Sequence, residues 1–276
     1  GTPISMNPGE KPIEEIETGE KVLTHNGEYR PVTRLQKRKY TGNLYIIQVR
    51  GNPSEAISVT QEHPVLSVKR QRQNERNSQW TPHWIPAGAL EKGDYVCYPI
   101  NRTQTDRKSI VITVREGRGR HGFKQVAVRV PLNKELFRLI GYYLAEGSIS
   151  SGHYLSFSFG SSERQDIEEV KRLISKVFGE DRFHESHHKT NNGTSVVVRS
   201  TRLCRIFEKI AGKGADKKAL ARWVMEDSPT KQKELLIGWY RGDGNYFNKS
   251  YRYGRKELFR ISTVSPKLAK QGRQLL

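Results

Sequence analysis

Cysteine is nearly absent from this sequence: Cys97 and Cys204 are the two among 276 residues. They lie far apart and match no metal-ligand spacing, which argues against a disulfide framework and against a cysteine-bound metal. An intracellular, reducing compartment is the corresponding expectation. Long apolar runs are missing too. Nothing approaches the roughly 18 consecutive apolar residues of a membrane span, and the opening GTPISMNPGEKPIEEI lacks the basic-then-apolar order of a secretory signal. Acidic residues are scarce relative to basic ones, 29 against 48, for a net charge of +19. What is present suffices for packed cores: 34% hydrophobic and 9% aromatic residues argue against disorder, and the length allows two domains.

The charge is unevenly spread. Residues 1–100 hold 13 basic and 11 acidic side chains, whereas 101–276 hold 35 and 18. So one-sided a balance can be a solubility surface, but it more often meets a polyanion, nucleic acid being the commonest.

The local patterns follow the same division. EKVLTHNGEYRPV (20–32) reads as a hairpin around Asn26-Gly27, a pair that tolerates positive φ. NLYIIQVRG (43–51) and EAISVTQEHPVLSV (55–68) are β-branched strand runs, 69–84 reads as a surface loop, and 85–100 as a helical turn and a last strand. Residues 1–100 are therefore expected to be all-β. Residues 101–130 form a basic connector whose runs SIVITVR (109–115) and KQVAVRV (124–130) predict a hairpin, either a solvated linker or an arm gripping phosphate. From 131 the period changes to that of helices. Asn133 is placed to cap a helix over 134–146. A strand follows at 153–160, then a helix over 163–179 stopped by Gly179. Next come a hairpin around 191–193, helices over 202–212 and 218–224, a helix over 229–243 opened by Pro229, a strand at 257–264 and a further helix start at Ser265-Pro266.

Two of these helices end alike. LIGYYLAEG (139–147) and LIGWYRGDG (236–244) align without a gap, each closing a helix before a strand. Gly141 with Ala145, and Gly238 with Gly242, put small residues on one helix face, so two helices can approach closely. The acids Glu146 and Asp243 sit at the helices' negative ends, an unfavourable placement of about 0.3–1 kcal/mol each. Brought together they also repel, and a divalent cation would relieve both. Two similar helices with acids facing water is the plainer reading of one copy; two copies in register weigh against it.

These segments resemble the motif of the LAGLIDADG homing endonucleases. The resemblance implies a pseudo-twofold helix pair flanked by curved antiparallel sheets that form a saddle over double-stranded DNA with a long, asymmetric target site. It implies that Glu146 and Asp243 hold Mg²⁺, or Mn²⁺ as a substitute, beneath the two scissile phosphates, one strand cut per acid. KALARWV (218–224) is similar to the family's K-x-[IL]-P-x-W-[IV] block, which gives Lys218 a role beside the reacting phosphates; Ala221 stands where the family often has proline. Arg199, Arg252, Arg255 and Arg260, with tyrosines and histidines near 153–157 and 184–188, are then candidates for DNA contact. His184, His187 and His188 could also be read as a metal cluster, but a DNA-facing or solvated hairpin is favoured.

The first 100 residues resemble the opening section of a Hint domain, the fold of inteins and hedgehog autoprocessing domains. Three blocks occur in order: GTPISMNPGEKPIEEIETGEKVLTHNGEYRPV, TQEHPVLSV (60–68) with its T-x-x-H, and WIPAGALEKGDYV (84–96). The resemblance implies that His63 distorts or protonates a scissile peptide held by Thr60. Gly1 is no nucleophile, no terminal His-Asn is present, and 33 residues follow Asp243 where a repeat needs about a hundred. The expectation is a piece of a longer precursor with host exteins on either side.

The expected organisation is thus an all-β Hint-like section at 1–100, a basic linker or DNA-contact arm at 101–130, and an α+β LAGLIDADG endonuclease domain at 131–276. Its repeats would be pseudo-twofold αββαββα units, the second incomplete, in a monomer without membrane contact. Two alternatives stay open: a DNA- or RNA-binding protein of the same fold that does not cut, and a splicing-only intein with a decayed endonuclease.

Overall fold

Short alternating runs broken by turns build the first of two units, Gly1–Thr103; longer runs of helical period build the second, Gln104–Leu276, in the computed structural model. The structure describes residues 2–6, 10–50, 52–70, 80–102, 104–117, 122, 124–187, 192–251 and 254–275.

In the first unit, β1 (Pro3–Ser5) pairs with β2 (Glu10–Pro12), and β3 (Lys21–Leu23) with β4 (Tyr29–Pro31). The β3–β4 turn needs glycine: Gly27 has φ +77°, and a Cβ there would lie 2.0 Å from the Ile100 carbonyl oxygen. Strand β5 (Tyr45–Val49) pairs with β6 (Asn52–Val59), and β7 (Pro64–Val68) lies between β8 (His83–Pro86) and β9 (Tyr95–Val96). The described residues of this unit contain two 3-10 turns, Ile13–Glu15 and Ala87–Ala89, and no α-helix. Most of the loop expected over 69–84 lies outside the described residues.

The second unit opens with the antiparallel hairpin of β10 (Ser109–Glu116) and β11 (Lys124–Pro131). This hairpin is not a free-standing connector. Its alternate residues Ile112, Val114 and Val130 are buried in the unit's core, because a two-stranded ribbon with one apolar face must cover it. There follow α1 (Lys134–Glu146), β12 (Gly147–Ser150), β13 (Tyr154–Gly160), α2 (Arg164–Phe178), β14 (His184–His187), β15 (Gly193–Arg199) and α3 (Thr201–Ala211), an αββαββα order. The sheet runs β12-β13-β15-β14, all antiparallel. Its inward residues Leu155, Phe157, Val196 and Val198 are fully buried and share one core cluster with residues of α1, α2 and α3. The end signals work as read. The Asn133 side chain accepts from the Leu136 N–H at 2.9 Å, and Gly179 closes α2 at φ +65°.

The order then restarts with α4 (Arg222–Met225), α5 (Pro229–Asp243), β16 (Gly244–Tyr251), β17 (Gly254–Ile261) and α6 (Pro266–Leu275). The expected helix over 218–224 shrinks to its last turn. Residues 218–221 instead form an extended strap along the end of α3, where the Ala219 and Ala221 N–H groups donate to the carbonyls of Ala211 and Ile210 at 3.0 and 2.7 Å. Ala221 has φ −62°, the angle proline would fix, yet its N–H is in use, which proline could not supply.

Candidate active site

The small residues of the two motif copies face each other across α1 and α5. A Cβ on Gly141 would lie 2.1 Å from the Leu235 carbonyl oxygen, and one on Gly238 would lie 2.3 Å from that of Arg138. At Gly242 it would meet Ala145 Cβ at 2.4 Å and Glu146 Oε1 at 2.9 Å. The helices therefore touch backbone to backbone and run in the same direction, so their C-termini meet at one end. That is where Glu146 and Asp243 stand. Gly147 and Gly244 let each chain turn directly from helix into strand: a Cβ on either would collide with the preceding turn, at 2.2 Å from the Tyr143 ring and 2.0 Å from the Tyr240 carbonyl oxygen.

Lys218 joins the pair. Its side chain is buried, and Nζ donates to the carbonyls of Tyr143 and Leu144 at 2.7 and 2.8 Å. It also lies 5.0 Å from the centre of the Tyr143 ring. These carbonyls belong to the last turn of α1, where the helix dipole is negative and a cation is favoured. Lys218 thus offsets the unfavourable field that Glu146 meets at this helix end.

The three groups perturb one another. Burial pushes the Glu146 carboxyl up to about 7, helped by Asp243, Glu163 and Asp166 and opposed by Lys218. Burial raises Asp243 as well; the Trp239 indole, which holds no hydrogen bond of regular geometry, and Lys218 act against the rise. Burial draws the Lys218 ammonium down to about 8, against the pull of Asp243 and Glu146. Glu146 and Asp243 offer carboxylate oxygens, the donors that a hard, oxygen-seeking divalent cation takes. Among the described residues no three metal-ligating side chains converge. Glu146 and Asp243 are the carboxylates that this end of the helix pair could offer to such a cation.

A second polar cluster braces the helices. Arg138 on α1 pairs with Glu234 on α5 and with Glu169 on α2. The Tyr142 hydroxyl lies 2.6 Å from both Asp166 and Glu169, and Arg241 donates to that hydroxyl at 3.1 Å while pairing with Glu169. None of these residues stood out in the sequence. The available signal was Arg241, which occupies the motif position where the first copy has Leu144.

The candidate DNA-contacting arginines separate. Pairing puts Arg199 opposite Tyr154, on the sheet face that carries Ser148 and Ser150. Arg260 lies opposite Asn245, the counterpart of Ser148, with its guanidinium 5.7 Å from the Phe247 ring centre. Arg255 is on the other face, opposite Ser250, bonded to Asn248 at 2.9 Å and paired with Glu257 at 3.1 Å. Arg252 and His188 lie outside the described residues. His184 and His187 sit on β14, where His187 Nδ1 meets Thr194 Oγ1 at 3.0 Å.

In the first unit, Thr60 and His63 form a turn after β6, with the His63 N–H on the Thr60 carbonyl at 3.1 Å. His63 lines a cavity of about 270 Å³ with His25, Trp84 and Cys97 among its walls.

Repeated helix–sheet units meeting through glycine faces, with one acid from each, define a class of mixed α/β domain. Residues 133–212 match the model of the LAGLIDADG-like domain, which implies DNA binding. An uncharacterized protein of Methanocaldococcus jannaschii is 27% identical over 88% of this chain and 34% of its own length. The ATP-dependent DNA helicase Hel308 of Thermococcus kodakarensis is 28% identical over 98% of the chain and 26% of its length. An iron-sulfur cluster assembly SufBD family protein of Mycobacterium tuberculosis is 29% identical over 85% and 27%. The chain spans about a quarter to a third of the length of these relatives.

Proposed function

We propose that this chain is the endonuclease-bearing part of an intein, cutting both strands of DNA at a specific site with Mg²⁺ or Mn²⁺. The carrying observation is the meeting of Glu146 and Asp243 at one end of a glycine-faced helix pair, beside the Lys218 ammonium. Glu146 and Asp243 would hold the metal, which when bound supplies activation of water and stabilisation of the departing oxygen. Lys218 presents a positive charge to the phosphate, and Arg199 and Arg260 grip the DNA on the sheet faces. In a cleavage assay, linear DNA spanning the insertion site of the chain's own coding sequence, with that sequence removed, is incubated with the full-length protein and Mg²⁺. Double-strand cuts are expected, and Glu146→Gln or Asp243→Asn should abolish them. No cuts by the wild type would end the nuclease reading in favour of a binder or a decayed endonuclease.

Splicing is the role read for the first unit. The chain matches a quarter or so of a helicase and of an iron-sulfur assembly protein, two proteins of unrelated activity by name. That distribution supports reading the segment as an inserted element. His63 and Thr60 would then act on the upstream junction. His63→Ala in the full-length precursor should leave unspliced precursor on a gel, and normal excision would refute the role.

A further inference from the structure

Lys218 reaches the acid pair from an extended strap, and an extended segment has no internal hydrogen bonds to fix it. Its position must come from what holds its backbone. Part of that hold is the end of α3, already described. The rest is α6. Ser265 is buried, and its hydroxyl donates to the Lys218 carbonyl at 2.7 Å. The same oxygen accepts the Leu268 N–H at 3.2 Å, so one atom both caps α6 and carries the strap. One turn further along, the Gln271 amide makes a two-way clasp on Leu220, accepting from its N–H and donating to its carbonyl, both at 2.8 Å. Alpha-6 is itself pressed onto the second motif helix, since a Cβ on Gly272 would come within 2.8 Å of the Trp239 ring. The backbone bonds from the Lys218 carbonyl to the Ala221 N–H are thereby supplied alternately by α6 and α3.

From this geometry we infer that Ser265 and Gln271 are positioning residues for Lys218: α6 holds the strap so that the ammonium stands on the end of α1, beside the carboxylates of both repeats. The inference rests on the nuclease reading for its catalytic consequence, but not for its geometry. An ammonium has three N–H bonds. Two are committed to Tyr143 and Leu144, and no described protein acceptor is assigned to the third. A small displacement of the strap would break the first two bonds and withdraw the charge from the site.

The test uses the full-length protein with Ser265→Ala, Ser265→Thr, Gln271→Met and Lys218→Ala, and each strap variant combined with Lys218→Ala. Three quantities are measured: the single-turnover cleavage rate on saturating insertion-site DNA with Mg²⁺, DNA affinity by gel shift in EDTA, and acylation of Lys218 by an amine reagent, read by mass spectrometry. Ser265→Ala and Gln271→Met are expected to slow cleavage by about ten- to hundredfold, to leave DNA affinity unchanged and to speed Lys218 acylation, while buried Lys231 stays protected. Ser265→Thr, which keeps the hydroxyl, should restore the rate. On the Lys218→Ala background neither strap substitution should slow cleavage further, because their effect passes through Lys218. Losses that multiply on that background overturn the inference, as does a Lys218 that stays protected in both strap variants. If Ser265→Ala fails to fold, Gln271→Met carries the same measurements. Absence of wild-type cleavage would defeat the nuclease reading, and acylation alone would still decide whether α6 holds Lys218.

Discussion

Glu146 shows how a site can work against the fold that holds it. Its carboxyl is pushed from the ordinary 4.5 to about 7, first by burial and then by Asp243. Between those two values the folded chain keeps a proton that the unfolded chain has released. The contribution of Glu146 to stability therefore falls as pH rises from about 4.5 to 7, and above 7 its whole penalty is present. Glu146→Gln removes the charge and keeps the shape. The variant is expected to be more stable than the wild type at pH 8, with the advantage fading towards pH 4.5. Thermal melts of both proteins across that range check it; an advantage independent of pH would show that ionisation is not its source. Cleavage should rise through the same window, because the ionised form is the one that can hold a cation.

At the scale of elements, the helix pair was legible because close packing needs small residues at fixed spacing, and Gly141, Ala145, Gly238 and Gly242 are such a pattern. The strap was not legible. KALARWV carries apolar residues at spacings a helix would use, and nothing in it announces that Leu220 is bonded to Gln271, 51 residues on. The 101–130 hairpin was legible as strands but not as core, since alternation does not say what covers the apolar face. Ser265 was readable as a helix cap, but not as the partner of Lys218. The glycine contact makes its own prediction. Gly238→Ala forces a Cβ to 2.3 Å from the Arg138 carbonyl, and overpacking of this kind usually costs about 1–3 kcal/mol or more. Because backbone atoms must move, the helices should separate and cleavage should be lost with stability. Gly160→Ala is the control, as its Cβ meets only the end of the Glu163 side chain, at 3.3 Å. Denaturant melts distinguish the two; equal effects would mean that the helices do not depend on this contact.

At the scale of the molecule, the charge asymmetry was plain in composition, but its placement was not. Several of the basic residues are tied up with acids: Arg164 and Lys171 hold Glu185 down to about 2, Arg202 pairs with Glu116, and Arg138 and Arg241 brace the motif helices. The arginines aligned by strand register with the open sheet face are a smaller set. Each phosphate contact releases condensed counterions, so DNA affinity should fall steeply with salt, and each lost contact should flatten that dependence by about one unit of log–log slope. Arg199→Ala and Arg260→Ala are expected to do so. Arg255→Ala, on the opposite face and already paired with Glu257, should leave the slope unchanged. Gel shifts of the full-length protein at several salt concentrations give the three slopes. If Arg255 flattened the dependence and Arg260 did not, the second hairpin would meet DNA through the face that carries Tyr246 and Phe259, and the correspondence between Ser148 and Asn245 would no longer predict the binding surface.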